Sequence, residues 1–208
     1  MMETSMRTSG RGRLGRACRE STPESVALSV FIGVVGVLFS LLIVAYAMRM
    51  RTGDWRTLPV PWQLGLSTAM LILSSASLQW ASVAARRGER KSLNKALLAT
   101  AVFAVAFLAS QLWVWQRLVE FGYLASANPA NGFFYLITGL HGLHLAGGLV
   151  ALGRAVAHSR LSGAAARVQA SIALCARYWH FLLALWLVLY AALSFLTPAI
   201  VAFICGAS

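Results

Sequence analysis

"FFYLITGLHGLHLAGGLVALG", residues Phe133–Gly153, runs for twenty-one positions without a charge and carries two histidines three places apart. A helix of that length rises about 30 Å, the thickness of a bilayer's hydrocarbon core. His141 and His144, at i and i+3, then share one helix face. Whether this stretch is read as a soluble core helix or a membrane span decides the rest of the fold.

The surrounding sequence favours the span. The chain of 208 residues is 59% hydrophobic and 12% charged, about half the charge of an ordinary soluble domain. Five apolar runs are long enough to cross a bilayer: Val26–Met48, Trp62–Ala85, Leu93–Trp115, Phe133–Gly153 and Tyr178–Phe203. Backbone groups in lipid must be satisfied within the segment, which predicts helices, and no ten-residue alternating segments point to a β-barrel. The expected fold is all-α, an integral membrane bundle of five transmembrane helices formed by residues 25–205. Residues 1–24, rich in Arg, Ser and Gly, read as a disordered basic arm. The first run is longer than a secretory signal's apolar region and is expected to be a retained helix.

Eighteen Lys and Arg stand against six Asp and Glu. Fourteen of the bases fall in the N-terminal arm and in the second and fourth connections, including Arg86, Arg87, Arg90, Lys91, Lys95, Arg154 and Arg177; only Arg49, Arg51, Arg56 and Arg117 fall on the other side. Bases collect on the cytoplasmic side, so the N-terminus is expected inside and the C-terminus outside. The arginines suit topology and anionic headgroups rather than nucleic acid. Small residues recur at four-residue spacing (Ser29/Gly33, Gly36/Ser40, Ser77/Ala81/Ala85, Gly147/Ala151/Ala155), which predicts close helix packing.

Polar groups inside the membrane are costly and mark sites. They are Gln79, Gln111, His141, His144 and His180, with no acid or base expected deep in any helix. That absence argues against a small transporter. A haem held between helices needs two histidines at one depth. His144 and His141 lie ten and thirteen residues from Arg154, about 15–20 Å, whereas His180 lies about 5 Å from the expected start of the fifth run. The mismatch argues against an independent haem-binding cytochrome and for structural, hydrogen-bonded histidines beside Gly142 and Gly147. Cys18, Cys175 and Cys205 have no metal-ligand spacing. Arg154, His158, Arg177, Trp179 and His180 gather near the expected inner surface and form a candidate site for an anionic phospholipid.

"FYLITGLHGLHLAGG" (Phe134–Gly148) followed by "RYWHFLLALWLVLY" (Arg177–Tyr190) resembles subunit III of haem–copper oxidases of the cytochrome c oxidase type. The resembling positions are Thr138, His141, Gly142, His144 and Gly148, then Tyr178, Trp179 and His180. "LPVPWQLGLSTAMLILSS" (Leu58–Ser75) and "FLASQLWVW" (Phe107–Trp115, with Gln111) support them.

The resemblance implies a five-helix form of a subunit that packs on the catalytic subunit I beside subunit II and carries no cofactor of its own, haem and copper residing in subunit I. It also implies bound phospholipid, with Arg154 at the lipid-contacting position, and support of assembly, proton uptake and sustained turnover. A bacterial inner membrane is expected rather than a mitochondrial one. Three family acids are replaced, by Val35, Val114 and Leu183, at positions read as membrane-facing or interfacial. An accessory subunit of a nitric oxide reductase complex is the alternative reading.

Overall fold

The computed structural model describes residues 23–52, 55, 61–162 and 165–204, without the side chains of 158–167, 202 and 204. Six helices follow in order: α1 (Pro23–Arg49), α2 (Gln63–Arg87), α3 (Arg90–Glu120), α4 (Pro129–Ser162), α5 (Ala165–Phe195) and α6 (Pro198–Ile204). The first five are long and apolar enough to cross a membrane. The fold is therefore an all-helical membrane bundle. Of the expected arm, Pro23 and Glu24 belong to α1, where a proline and an acid suit a first turn; residues 1–22 lie outside the described residues.

The fifth helix departs from the expected boundaries. It opens at Ala165, thirteen residues before Tyr178, and stops at Phe195 rather than running on to Phe203. Pro198 supplies no N–H to a continuing helix and disfavours α geometry at Thr197. The chain restarts there as α6, whose Val201 is buried against Tyr46 and Met50 beside α1.

The connections carry local chemistry. Gly88, at φ +73°, ends α2 in the left-handed region; its N–H bonds the Ala85 carbonyl and that of Glu89 bonds Ala84, a Schellman closure. Arg90 then opens α3 directly, so α2 and α3 form a tight antiparallel pair. At the far end of α3, Asn128 accepts from the Ala130 N–H (3.1 Å) ahead of α4, and the Tyr135 hydroxyl donates to the Tyr123 carbonyl (3.1 Å).

α2 packs most extensively on α3, and α5 lies against α2, α4 and α1. The core holds Leu64, Leu71 and Leu78 of α2, Phe107 and Val114 of α3, and Trp179, Leu182 and Trp186 of α5. Buried hydroxyls hold the helices together. Ser67 and Thr68 donate to the Leu64 carbonyl at 2.9 and 2.7 Å, and each also accepts from a neighbouring helix. Gln111 Nε2 reaches Ser67 at 2.7 Å and Trp186 Nε1 reaches Thr68 at 2.9 Å. Ser74 accepts from Trp179 Nε1 (3.0 Å) and donates to the Thr100 carbonyl (3.0 Å); Thr138 accepts from Trp115 Nε1 (3.1 Å). In lipid, where apolar burial gains little, such interhelical bonds and close packing hold a bundle.

α1 is different. Val30, Val34, Val37, Leu41 and Met48 are all at least 60% exposed, a continuous apolar face that water would not tolerate on a monomer. Ser29 and Gly33 lie on that exposed surface, so this pair of small residues does not mark a helix contact within the chain. Ala81 and Ala85 of α2 are buried as the spacing implied.

Candidate functional site

The three described histidines occupy three different environments. His141 is fully buried, its ring 4.9 Å from Trp186, 5.7 Å from Phe107 and 6.5 Å from Phe39 (centroid distances). Neither of its ring nitrogens has a hydrogen-bond partner among the described residues. The expectation that His141 is anchored by hydrogen bonds is thus corrected: aromatic packing holds it. No space for a porphyrin remains at this ring, since Phe39, Phe107 and Trp186 enclose it from three helices.

His144, one turn closer to the basic end, bonds its own helix. Nδ1 lies 2.7 Å from the Leu140 carbonyl. A carbonyl only accepts, so Nδ1 carries a proton, and in the tautomer this bond selects, Nε2 is the acceptor. The Tyr178 hydroxyl donates to the His144 carbonyl at 3.0 Å, tying α5 to α4 at this level. Gly148 makes the contact possible: a Cβ there would meet the Tyr178 ring at 2.8 Å. Gly147, expected to be the close-approach position, has nothing within 4 Å of a would-be Cβ.

His180 faces α2. The Ser75 hydroxyl donates to Nδ1 (2.6 Å) and Nε2–H donates to Gln79 Oε1 (3.2 Å). The expected depth of His180 is also corrected. Gln169 Nε2 donates to the Ala85 carbonyl (3.0 Å), fixing Gln169 at the last turn of α2. His180 lies eleven residues on, about 17 Å along α5, against about 15 Å for His144 from Arg154. The depths match, so depth does not separate the two. Direction does: Tyr178, facing α4, and His180, facing α2, are 200° apart around a helix of 3.6 residues per turn.

The same shift relocates the other candidates. Trp179 is fully buried with its indole on Ser74, so it contacts α2 rather than lipid headgroups. Arg177 lies about 12 Å along α5 from Gln169, exposed and inside the apolar span Val168–Phe195; the expectation that no base sits deep in a helix fails at this residue. Arg154 is exposed near the basic end of α4. No bond joins Arg154, Arg177 and His180, and the side chain of His158 lies outside the described residues. Cys175 lines the groove described next; Cys18 and Cys205 are outside the described residues.

Between α1, α4 and α5 runs an apolar groove of about 510 Å³, lined among others by Leu28, Phe31, Leu143, His144, Gly147 and Tyr178. Phe31 lies 5.9 Å from the Tyr178 ring and 6.2 Å from that of His144. Sequence reading noticed His144 but not the groove, which depends on how α1 leans on the α4–α5 pair. It also missed the hydroxyl bonds of α2, for which the recurrence Ser67/Thr68 and Ser74/Ser75 at seven residues was an available signal. Among the described residues no group of three or more His, Cys, Asp and Glu comes together.

The replaced acids are also better placed now. Val35 is buried with Phe39, Ile137, Leu185 and Leu189, and Val114 is fully buried in the main core. Neither faces the membrane, which corrects the expectation; Leu183 is half-buried.

Comparison with known proteins gives a consistent picture. Residues 56–197 match the family model described as cytochrome c oxidase subunit III. The chain is 28% identical over 201 residues to a probable cytochrome c oxidase subunit 3 of Nocardia farcinica, covering 93% of this chain and 99% of that one. It is 30% identical over 189 residues to a cytochrome c oxidase subunit 3 of Corynebacterium diphtheriae (88% and 91%). To that of Thermostichus vulcanus it is 28% identical over 177 residues (83% and 87%).

Proposed function

The chain belongs to the cytochrome c oxidase subunit III family, and from that premise we propose how it serves an oxidase. It is an accessory subunit of a multi-pass membrane complex. Its partners are the catalytic subunit I, which holds haem and copper, and subunit II, in a bacterial inner membrane with the N-terminus inside. It performs no redox step. Its contribution is a packed flank for subunit I and retained lipid, which support assembly, proton uptake and sustained turnover.

The observation that carries this reading is the family match over residues 56–197, which takes in all of α2, α3, α4 and α5 up to Phe195. The outward apolar face of α1 supports it, since such a face needs a partner helix or lipid. The histidine environments agree: His141 is enclosed by aromatic rings, His144 lies on α4 beside Tyr178, and His180 turns away from that helix toward Ser75 and Gln79 of α2. Arg86, Arg87, Arg90, Lys91 and Lys95 gather where α2 meets α3, in keeping with that end facing the cytoplasm.

Anionic phospholipid is held at the basic end by Arg154 and Arg177. Arginine offers charge-assisted bonds to phosphate, and the Arg177 stem can run along the helix to bring its guanidinium toward the headgroups. The double substitution Arg154→Ala with Arg177→Ala should lower anionic phospholipid per complex; unchanged lipid content would reject the site.

Native mass spectrometry of the complex purified through this chain tests the main reading. Co-purification of a haem- and copper-loaded oxidase subunit I is the expected result. Isolation instead with a nitric oxide reductase, or haem retained by this chain freed from its partners, would overturn it.

A further inference from the structure

The groove between α1, α4 and α5 combines an apolar wall, flat aromatic surfaces and one unused hydrogen-bond acceptor. Phe31 and Tyr178 form the aromatic side. The polar atoms of Tyr178 and Trp179 are already committed, to the His144 carbonyl and to Ser74. His144 Nε2 is not: with Nδ1–H bound to Leu140, its lone pair has no partner among the described residues, and the ring lines the groove. Gly147 opens the floor, since even a Cβ there would touch nothing within 4 Å.

An acceptor in lipid seeks a donor. It lies about 20 Å from Ala157, the end of the α4 span, and close to the span's middle. A phospholipid keeps its polar atoms at the headgroup and brings only methylenes to this depth. The donor must therefore sit on an uncharged head that can leave the interface, and the aromatic wall favours a planar one. We infer that this groove binds the hydroquinone head of an isoprenoid quinol, with one ring hydroxyl donating to His144 Nε2. The corresponding quinone has carbonyl oxygens that only accept, so it gains no bond from Nε2 unless the imidazole gives up Leu140. The site therefore prefers the reduced form. Binding alone is inferred; no electron acceptor is at hand and no redox step is assigned.

The test uses the intact oxidase complex in phospholipid nanodiscs and a decyl-tailed 1,4-naphthohydroquinone, with its oxidised form as the paired probe. Retained probe is counted per complex after filtration. The native complex should hold the reduced probe about tenfold more tightly than the oxidised one, the worth of one good hydrogen bond. His144→Leu should abolish that preference and His144→Gln should restore part of it. Gly147→Leu, whose Cβ meets nothing within 4 Å and whose branched end would fill the floor, should lose both forms. Arg154→Ala should leave both unchanged while changing phospholipid content, so failure of the anionic lipid site and failure of this one are told apart. Equal binding of the two redox forms by the native complex would overturn the inference, and needs no variant that must fold. So would binding that survives Gly147→Leu, or a groove found filled by an acyl chain that the reduced probe does not displace.

Discussion

The α2–α3–α5 side of the bundle and the α1 side are built on different terms. In α2, 44% of the most apolar window is buried within the chain; in α1, at higher hydropathy, only 11% is. The first side pairs many of its polar groups internally, Ser67, Thr68, Ser74 and Ser75 meeting Gln111, Trp186, Trp179 and His180, while Ser82 Oγ, Gln111 Oε1 and Ser194 Oγ are buried without a partner among the described residues. The second contributes Val35 and Phe39 to a small aliphatic cluster and leaves the rest of its surface outward. One side is held together by its own interhelical bonds. The other presents apolar surface that the proposed partners, lipid and groove occupant would cover.

That contrast ranks the expected effects of substitution. Trp186 of α5 touches three other helices: its indole bonds Thr68 of α2, and its ring packs on Phe107 of α3 (5.0 Å) and His141 of α4. Trp186→Ala should be the most damaging change, by about 3–5 kcal/mol as for other buried aromatics, read as a fall in the thermal dissociation midpoint of the complex. Retention of that midpoint would show that the polar side does not hold the bundle.

Val35→Glu comes next. It restores the residue type the family resemblance gives for this position, yet Val35 is buried among the hydrophobic side chains of Phe39, Ile137, Leu185 and Leu189. The expected cost is about 2.5–3.5 kcal/mol on the insertion scale, measured as the fraction of chain inserted and assembled. Normal assembly would mean that α1 shifts to give the acid a partner, and would sharpen the contrast by showing how loosely α1 is held.

Gln111→Leu removes the bond to Ser67 but keeps the bulk. Interhelical bonds of this kind average about 0.6 kcal/mol, so the midpoint should fall slightly. Smallest of all is Val37→Ala on the exposed face of α1, which should leave the chain's own stability within about 0.5 kcal/mol while weakening association with the partner if that face is covered. Pull-down yield against midpoint separates the two.

The sequence made the bundle legible because hydropathy and charge act over whole segments. Five spans were visible, and four of their starts fell within four residues of the observed helices. The fifth was misplaced because "SRLSGAAARVQ" looks like a loop, whereas Gln169 bonded to Ala85 shows α5 already formed at this end. Its misplaced start carried the depth of His180 with it, put Trp179 at an interface it does not occupy and set the backbone of Arg177 too shallow. The groove was not legible at all. It depends on the lean of α1 and on which ring nitrogen of His144 is protonated, neither of which hydropathy encodes. Direction and enclosure, not the depth that first pointed to it, are what argue against a haem between these histidines.

In the proposed role this chain supports an oxidase without doing its chemistry. Oxygen reduction followed turnover by turnover, in complexes with and without the chain, tests that most directly. The prediction is an initial rate largely retained and an activity that then decays faster when the chain is missing, because subunit I has lost a packed flank and its ordered lipid. Loss of the very first turnovers, with subunit I still folded and haem-loaded, would contradict it.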